Sequence, residues 1–214
     1  MLFTRTKTQM IDPESALKGH PAYPFTVPAT HSVNGHPIVP PFPDGLATAV
    51  FGSGCFWGAE EIMWQIPGVY STAVGYSGGF TPFPTYDEVC TGRTGHTEAV
   101  LVVFDPSVVS YRDLVITHFE THDPSQGMRQ GNDIGTQYRS AVYYTDEAQR
   151  EVVEQVAKTY SEALVARGIG QVTTEIAAAG EFYYAEAPHQ QYLAKNPNGY
   201  RCHESTGVAF PKDA

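Results

Sequence analysis

The chain predicts an α+β fold, a two-layer, ferredoxin-like α/β sandwich in which helices pack on a mixed sheet. Three observations carry that expectation. Short apolar runs alternate with amphipathic ones along the middle of the chain, Gly and Pro punctuate many of the junctions, and eight of the 16 prolines crowd into the first 43 residues. Those eight, Pro13, Pro21, Pro24, Pro28, Pro37, Pro40, Pro41 and Pro43, forbid helix interiors and central strands. Residues 1–45 are therefore expected as an extended arm that wraps the domain or is partly disordered. Residues 46–195 form the expected α/β domain and residues 196–214 an irregular tail.

The first periodic element is Ala47-Thr48-Ala49-Val50-Phe51, a buried strand closed by the turn Gly52-Ser53-Gly54. A helix should follow, since Cys55, Ala59, Ile62, Met63 and Ile66 recur at helical spacing while Glu60, Glu61 and Gln65 point away from that stripe. Pro67-Gly68 ends it. Val69 to Tyr76 reads as a second strand, and Ala99 to Phe104, apolar on both faces, as a central one. Next come a helix from Tyr111 to Thr121, a Gly/Asn/Asp-rich loop through Gly135 and a strand at Ser140 to Tyr144. Thr145 and Asp146 open a long helix striped by Val153, Val156, Ala157, Tyr160 and Leu164. Val172 to Ala177 is the last expected strand and His189 to Lys195 a short helix.

With 214 residues and 42% hydrophobic content the chain can bury a full core. Its 23 acidic against 13 basic side chains give a net charge of -10, which repels phosphate backbones and anionic lipid headgroups, so neither nucleic acid nor membrane is an expected partner. Residues 1–10 lack the apolar core of a signal peptide. A cytoplasmic monomer is expected.

Cys55, Cys90 and Cys202 are an odd number without close spacing, which excludes a disulfide scaffold and a CxxC zinc site. They are either buried apolar side chains or redox and catalytic thiols. Cys55 is the strongest candidate for chemistry. It follows a strand-Gly-Ser-Gly turn and begins a helix, where unpaired backbone N–H groups and the positive end of the dipole favour a thiolate. Two glycines and two aromatics flank it in Gly54-Cys55-Phe56-Trp57-Gly58, so an apolar notch for a methyl group or thioether can form beside the sulfur.

That pentapeptide resembles the active-site signature of the A-type peptide methionine sulfoxide reductases. Further matching runs follow in register: Val74-Gly75-Tyr76-Ser77-Gly78-Gly79, Thr85-Tyr86, Thr94-Gly95-His96-Thr97-Glu98-Ala99-Val100, Asp133-Ile134-Gly135-Thr136-Gln137-Tyr138-Arg139-Ser140 and His189-Gln190-Gln191-Tyr192-Leu193. The resemblance spans roughly Pro40 to Pro211. It implies that the Cys55 thiolate attacks the sulfur of a methionine sulfoxide, free or in proteins, selectively for the S epimer. Glu98 matches the acid that protonates the departing oxygen; in an aromatic, poorly hydrated pocket a carboxyl keeps its proton near neutral pH. Tyr86 and Tyr138 match two tyrosines that hydrogen-bond that oxygen, and Asp133 matches an acidic residue lining the same pocket. Phe56 and Trp57 match the walls that receive the S-methyl group. No cofactor is implied, and the electrons come from thioredoxin or a similar dithiol protein.

Attack leaves Cys55 as a sulfenic acid, which a second thiol can condense to a disulfide. Cys202, in the turn-rich tail Asn196-Pro197-Asn198-Gly199-Tyr200, is the expected resolving thiol, and Cys90, in a segment that reads as a helical turn, is its rival. Family members with two tail cysteines carry one directly after the Gly-Tyr pair and another before the final Pro. Here Arg201 intervenes before Cys202 and Ala209 stands at the later place. A single Cys55–Cys202 disulfide is the simpler expectation than a relay.

Three other readings compete. A thiol peroxidase also uses a low-pKa cysteine but needs no methyl pocket. A non-catalytic module could bind methionine or its sulfoxide through Phe56 and Trp57. His118 and His122, at i and i+4, could hold zinc with Cys202 and His203, yet the HExxH arrangement is absent and no metal is expected.

Overall fold

The computed structural model describes residues 7–201 and 204–211. Its centre is a β-α-β-β-α-β run: β1 (Ala47–Ser53), α1 (Phe56–Trp64), β2 (Val69–Ser77), β3 (Thr97–Phe104), with a short helix α2 (Tyr86–Cys90) inserted between β2 and β3, then α3 (Tyr111–Glu120). A two-residue hairpin, β4 (Arg129–Gln130) and β5 (Asp133–Ile134), precedes β6 (Ser140–Tyr144). The long α4 (Glu147–Ala166), β7 (Glu175–Ala178), β8 (Tyr183–Tyr184) and α5 (Tyr192–Lys195) complete the described elements. The main sheet has six strands in the order β7-β6-β1-β3-β2-β8. Every neighbouring pair is antiparallel except β6 and β7, which are parallel and joined through α4, so the sheet is mixed. The inner order β6-β1-β3-β2 is the ferredoxin-like arrangement the sequence predicts.

Alternation along β3 sorts the two faces. Val100, Val102 and Phe104 join the larger core with Leu114, Phe119, Val153, Val156 and Leu164 of the helices. Ala99 and Leu101 face the other way, into a smaller cluster with Val50, Ala73, Ala141 and Tyr143. Ile38 of the proline-rich stretch caps that second cluster, with Val39 and Phe42 packed against it. A strand buried on both faces must be apolar throughout, which is why β3 carries a continuous hydrophobic run after Glu98.

Local rules place most boundaries. Asp146 caps α4 by accepting the Gln149 N–H, and Thr85 and Glu88 form a reciprocal capping box at α2. Gly54 takes φ +87 between β1 and α1, a conformation closed to most side chains. Among the described residues no helix is long and apolar enough to cross a membrane.

Several expectations need correction. The region 172–174 is not strand; pairing to β6 begins at Glu175. Residues 189–191 are not helical, because Gln191 sits in the left-handed region at φ 47 and the helix starts only at Tyr192. Cys55 caps α1 rather than opening it. Glu60, off the apolar stripe, is nevertheless fully buried. His118 and His122 form a buried polar chain, with Ser53 Oγ 2.9 Å from His118 Nδ1 and His122 Nε2 2.7 Å from Ser140 Oγ. Cys202 and His203 lie outside the described residues.

Candidate active site

Cys55 ends the turn after β1, and α1 departs from it. At the start of that helix the Phe56 N–H donates to Glu98 Oε2 at 3.0 Å. The bond follows from topology: β3 lies beside β1, and Glu98 projects from the same face as Val100, beneath the start of the helix. One of the orphan helix N–H groups thus holds a carboxyl rather than the sulfur, and Cys55 itself is only 5% exposed. Glu98 is equally enclosed, at 1%.

Around these two groups the aromatics form a nearly continuous wall. Phe56 lies between Trp57, Tyr76, Tyr86 and His189, with ring centroids 5.7–6.4 Å away. Trp57 stacks on Tyr192 at 4.0 Å and donates its indole N–H to His189 Nδ1 at 3.3 Å. His189 in turn stacks on Tyr86 at 4.3 Å. Glu186 pins this wall from behind, accepting the Tyr86 N–H at 2.8 Å and the Tyr76 hydroxyl at 3.2 Å. Burial is the first cause that holds the His189 imidazole below its usual range, so it stays neutral and available as the acceptor of Trp57.

The two tyrosines expected at the site share one electrostatic environment. Burial first, and then Glu98 once ionised at alkaline pH, raise both the Tyr86 and the Tyr138 phenols above their ordinary range. Both therefore remain hydroxyl donors at any physiological pH. Tyr86 also responds to Cys55, and Tyr138 to Tyr86 and Asp133. Hence Cys55, Glu98, Tyr86, Tyr138 and Asp133 converge on one region. Asp133 comes from the β4–β5 hairpin and accepts the Tyr200 hydroxyl at 3.3 Å.

Cys90 lies at the end of α2, half-buried, in electrostatic reach of Tyr86 and Glu98. Burial pushes its thiol up to about 11. The segment 196–201 is anchored beside α1: Arg201 grips Glu61 with two bonds of 2.8 Å and donates to the Pro197 carbonyl at 3.0 Å. Cys202 follows directly in the chain but lies outside the described residues. Sequence reasoning quoted His189 and Tyr192 within a matching run and gave them no part in the site, and it missed Glu186 altogether. Nothing in the pattern around Glu186 distinguishes it from a surface carboxylate.

A thiol at a helix start, an enclosed carboxyl bonded to that helix and an aromatic wall that includes Tyr86 are the chemical features a thiol-dependent oxidoreductase uses. Comparison with known proteins narrows the class. The sequence profile described as Peptide methionine sulfoxide reductase matches residues 47–211. The chain is 57% identical over 211 residues to Peptide methionine sulfoxide reductase MsrA 1 of Caulobacter vibrioides, covering 99% of this chain and 97% of that one. It is 60% identical over 205 residues to MsrA 2 of a Nostoc species, covering 96% and 92%. Methionine sulfoxide reductase A of Corynebacterium diphtheriae superposes with a TM-score of 0.86 at 47% identity, over 95% of this chain and all of that one. The chain belongs to the peptide methionine sulfoxide reductase family. It is an oxidoreductase that returns methionine sulfoxide to methionine.

Proposed function

We propose that this reduction runs through Cys55 as nucleophile, Glu98 as proton donor and Cys202 as resolving thiol, and that it is selective for the S epimer at sulfur. The observation that carries the reading is the Phe56 N–H bond to Glu98 Oε2, which sets an enclosed carboxyl beside the first turn of the helix that Cys55 caps. A neutral Glu98 can accept that bond through Oε2 and carry its proton on the other oxygen. Burial among aromatics favours that neutral form. The Tyr86 and Tyr138 hydroxyls donate to the sulfoxide oxygen, Asp133 lines the opposite side, and Phe56 and Trp57 receive the S-methyl group.

The thiolate of Cys55 attacks the sulfoxide sulfur while Glu98 supplies a proton to the oxygen. Oxygen passes to the cysteine as a sulfenic acid and methionine leaves, so the cysteine sulfur loses two electrons and the substrate sulfur gains them. The Cys202 thiol then displaces water from the sulfenic acid and forms a disulfide. Thioredoxin or a related dithiol protein reduces that disulfide, and no bound cofactor takes part. The raised Cys90 thiol supports Cys202, because a thiol that titrates near 11 is almost wholly protonated at pH 7 and attacks slowly.

Turnover of the separated sulfoxide epimers with dithiothreitol and with thioredoxin tests the proposal. The parent should consume the S epimer with either reductant. Cys55→Ser should be inactive, and Cys202→Ser should keep the dithiothreitol rate but lose most of the thioredoxin-driven rate. A Cys202→Ser variant that cycles with thioredoxin at the parental rate overturns the resolving role.

A further inference from the structure

Behind the aromatic wall lies a buried polar chain that the chemistry above does not use. Glu60, on α1, is fully buried, as are Thr72 of β2, His31 of the proline-rich stretch and Gln191. The Glu60 carboxylate accepts three bonds: from the Thr72 hydroxyl at 3.0 Å, the Gln191 side-chain amide at 2.7 Å and the Gln191 backbone N–H at 2.8 Å. Because Thr72 gives its proton to Glu60, His31 Nε2–H donates to Thr72 Oγ1 at 3.0 Å. His31 Nδ1 is then free to accept the Val33 N–H at 3.2 Å. Gln191 Oε1 closes the chain by accepting the Ser32 N–H at 3.0 Å.

Gln191 is the point of interest, since it is one of two non-glycine residues with positive φ among the described residues. A left-handed conformation strains a side-chain-bearing residue, and it persists only where the surroundings over-determine it. Three hydrogen bonds, two of them to Glu60, do so here. The chain reversal at Gln191 sends His189 and Tyr192, its near neighbours in sequence, onto the same indole, His189 as acceptor of Trp57 and Tyr192 as its stacking partner.

We infer that Glu60 is a positioning residue for substrate binding: by locking Gln191 in its left-handed turn it fixes His189 and Tyr192 around Trp57 and so sets the shape of the methyl-binding wall. The inference rests on the role proposed for Trp57. A wall that grips ground state and transition state alike acts on KM more than on kcat.

The test uses Glu60→Gln, Gln191→Ala and Gln191→Gly in the full chain. Glutamine at 60 offers one acceptor oxygen to three donors, and its amide opposes at least one of them. KM for the sulfoxide should rise about tenfold in Glu60→Gln with kcat within about twofold. Alanine at 191 bears the left-handed strain without the side-chain bonds, whereas glycine adopts that conformation freely, so Gln191→Ala should raise KM more than Gln191→Gly. A readout independent of turnover is the near-ultraviolet circular dichroism of Trp57 in a Trp64→Phe background. That band should collapse in Gln191→Ala and survive in Gln191→Gly. Parental KM in a folded Glu60→Gln, equal KM for the two Gln191 variants, or an unchanged Trp57 band in Gln191→Ala would each overturn the inference. If the parent itself fails to reduce sulfoxide, the chemistry proposed above fails, while the Trp57 band still decides the positioning role.

Discussion

The two sides of the Cys55 site are built from different material. On one side stand Phe56, Glu98 and the Glu60 chain, all at most 1% exposed, on α1, β2 and β3 and on the segments that carry His31 and Gln191. On the other stand Asp133, on a two-residue strand beside the 37%-exposed Ile134, and Tyr200, itself 46% exposed. The enclosed side holds the groups proposed to meet the substrate sulfur and its departing oxygen. The exposed side leads into the chain that carries Cys202. In the proposed mechanism, chemistry that depends on fixed geometry and a low dielectric falls to the rigid side, and thiol exchange with a second protein falls to the side that leads into the tail.

The largest effect should come from the enclosed side. Glu98→Gln can still accept the Phe56 N–H but has no acidic proton, so methionine release in a single turnover should fall by about 100-fold or more. Cys55 should remain open to alkylation by small reagents in that variant. Release within about threefold of the parent would remove Glu98 from the proton transfer and, with it, the main reason to treat this side as the chemical one.

How legible was this division in the sequence? The strands were plain where burial on both faces forces a continuous apolar run, as in β3, and α4 was plain because its stripe from Val153 to Leu164 keeps one helical face for about three turns. The candidate residues on matching runs were named by their motifs, not by local pattern. Glu60 could not be named in advance: beside Glu61 it forms a charged pair off the apolar stripe and looks like solvent-facing charge, since its partners Thr72 and Gln191 are distant in sequence. Burial decided by long-range hydrogen bonds has no local period. The same holds for β8 and the β4–β5 hairpin, which are two-residue strands too short to carry alternation. The left-handed Gln191 broke a helix that composition favoured, because tertiary bonds to Glu60 outweigh propensity.

Acid should act on the enclosed side first. Burial holds the imidazoles of His31 and His96 down to about 4. Each is neutral in the fold and protonated in the unfolded chain below pH 6.5, so each contributes stability that is lost as pH falls from 6.5 through 4. Burial pushes Glu60 the other way, from 4.5 up to about 7, and its contribution is present below 4.5 and lost as pH rises through 7. Counting these three groups alone, two protons against one leave stability falling with acid by about 1.4 kcal/mol per pH unit between pH 6 and 5, and His189, also depressed by burial, steepens that slope. Urea unfolding at several pH values measures that slope. Glu60→Gln removes the opposing titration and should make the slope steeper; a shallower one would mean that Glu60 does not titrate in this window.

The smallest effect belongs to the exposed side and is the more discriminating for it. Arg201 meets Glu61 through two 2.8 Å bonds, yet its side chain is 43% exposed, and an ion pair in such a setting contributes little and weakens with salt. Arg201 directly precedes the proposed resolving thiol, so the pair restricts where that thiol can reach without touching the substrate. Glu61→Gln should therefore leave methionine release unchanged and slow the disulfide-forming step after one equivalent of sulfoxide by about two- to fivefold. Added salt should slow that step in the parent and do nothing further in the variant. If Glu61→Gln instead slowed methionine release, the separation between a side for sulfur chemistry and a side for thiol exchange would be wrong at its most accessible point.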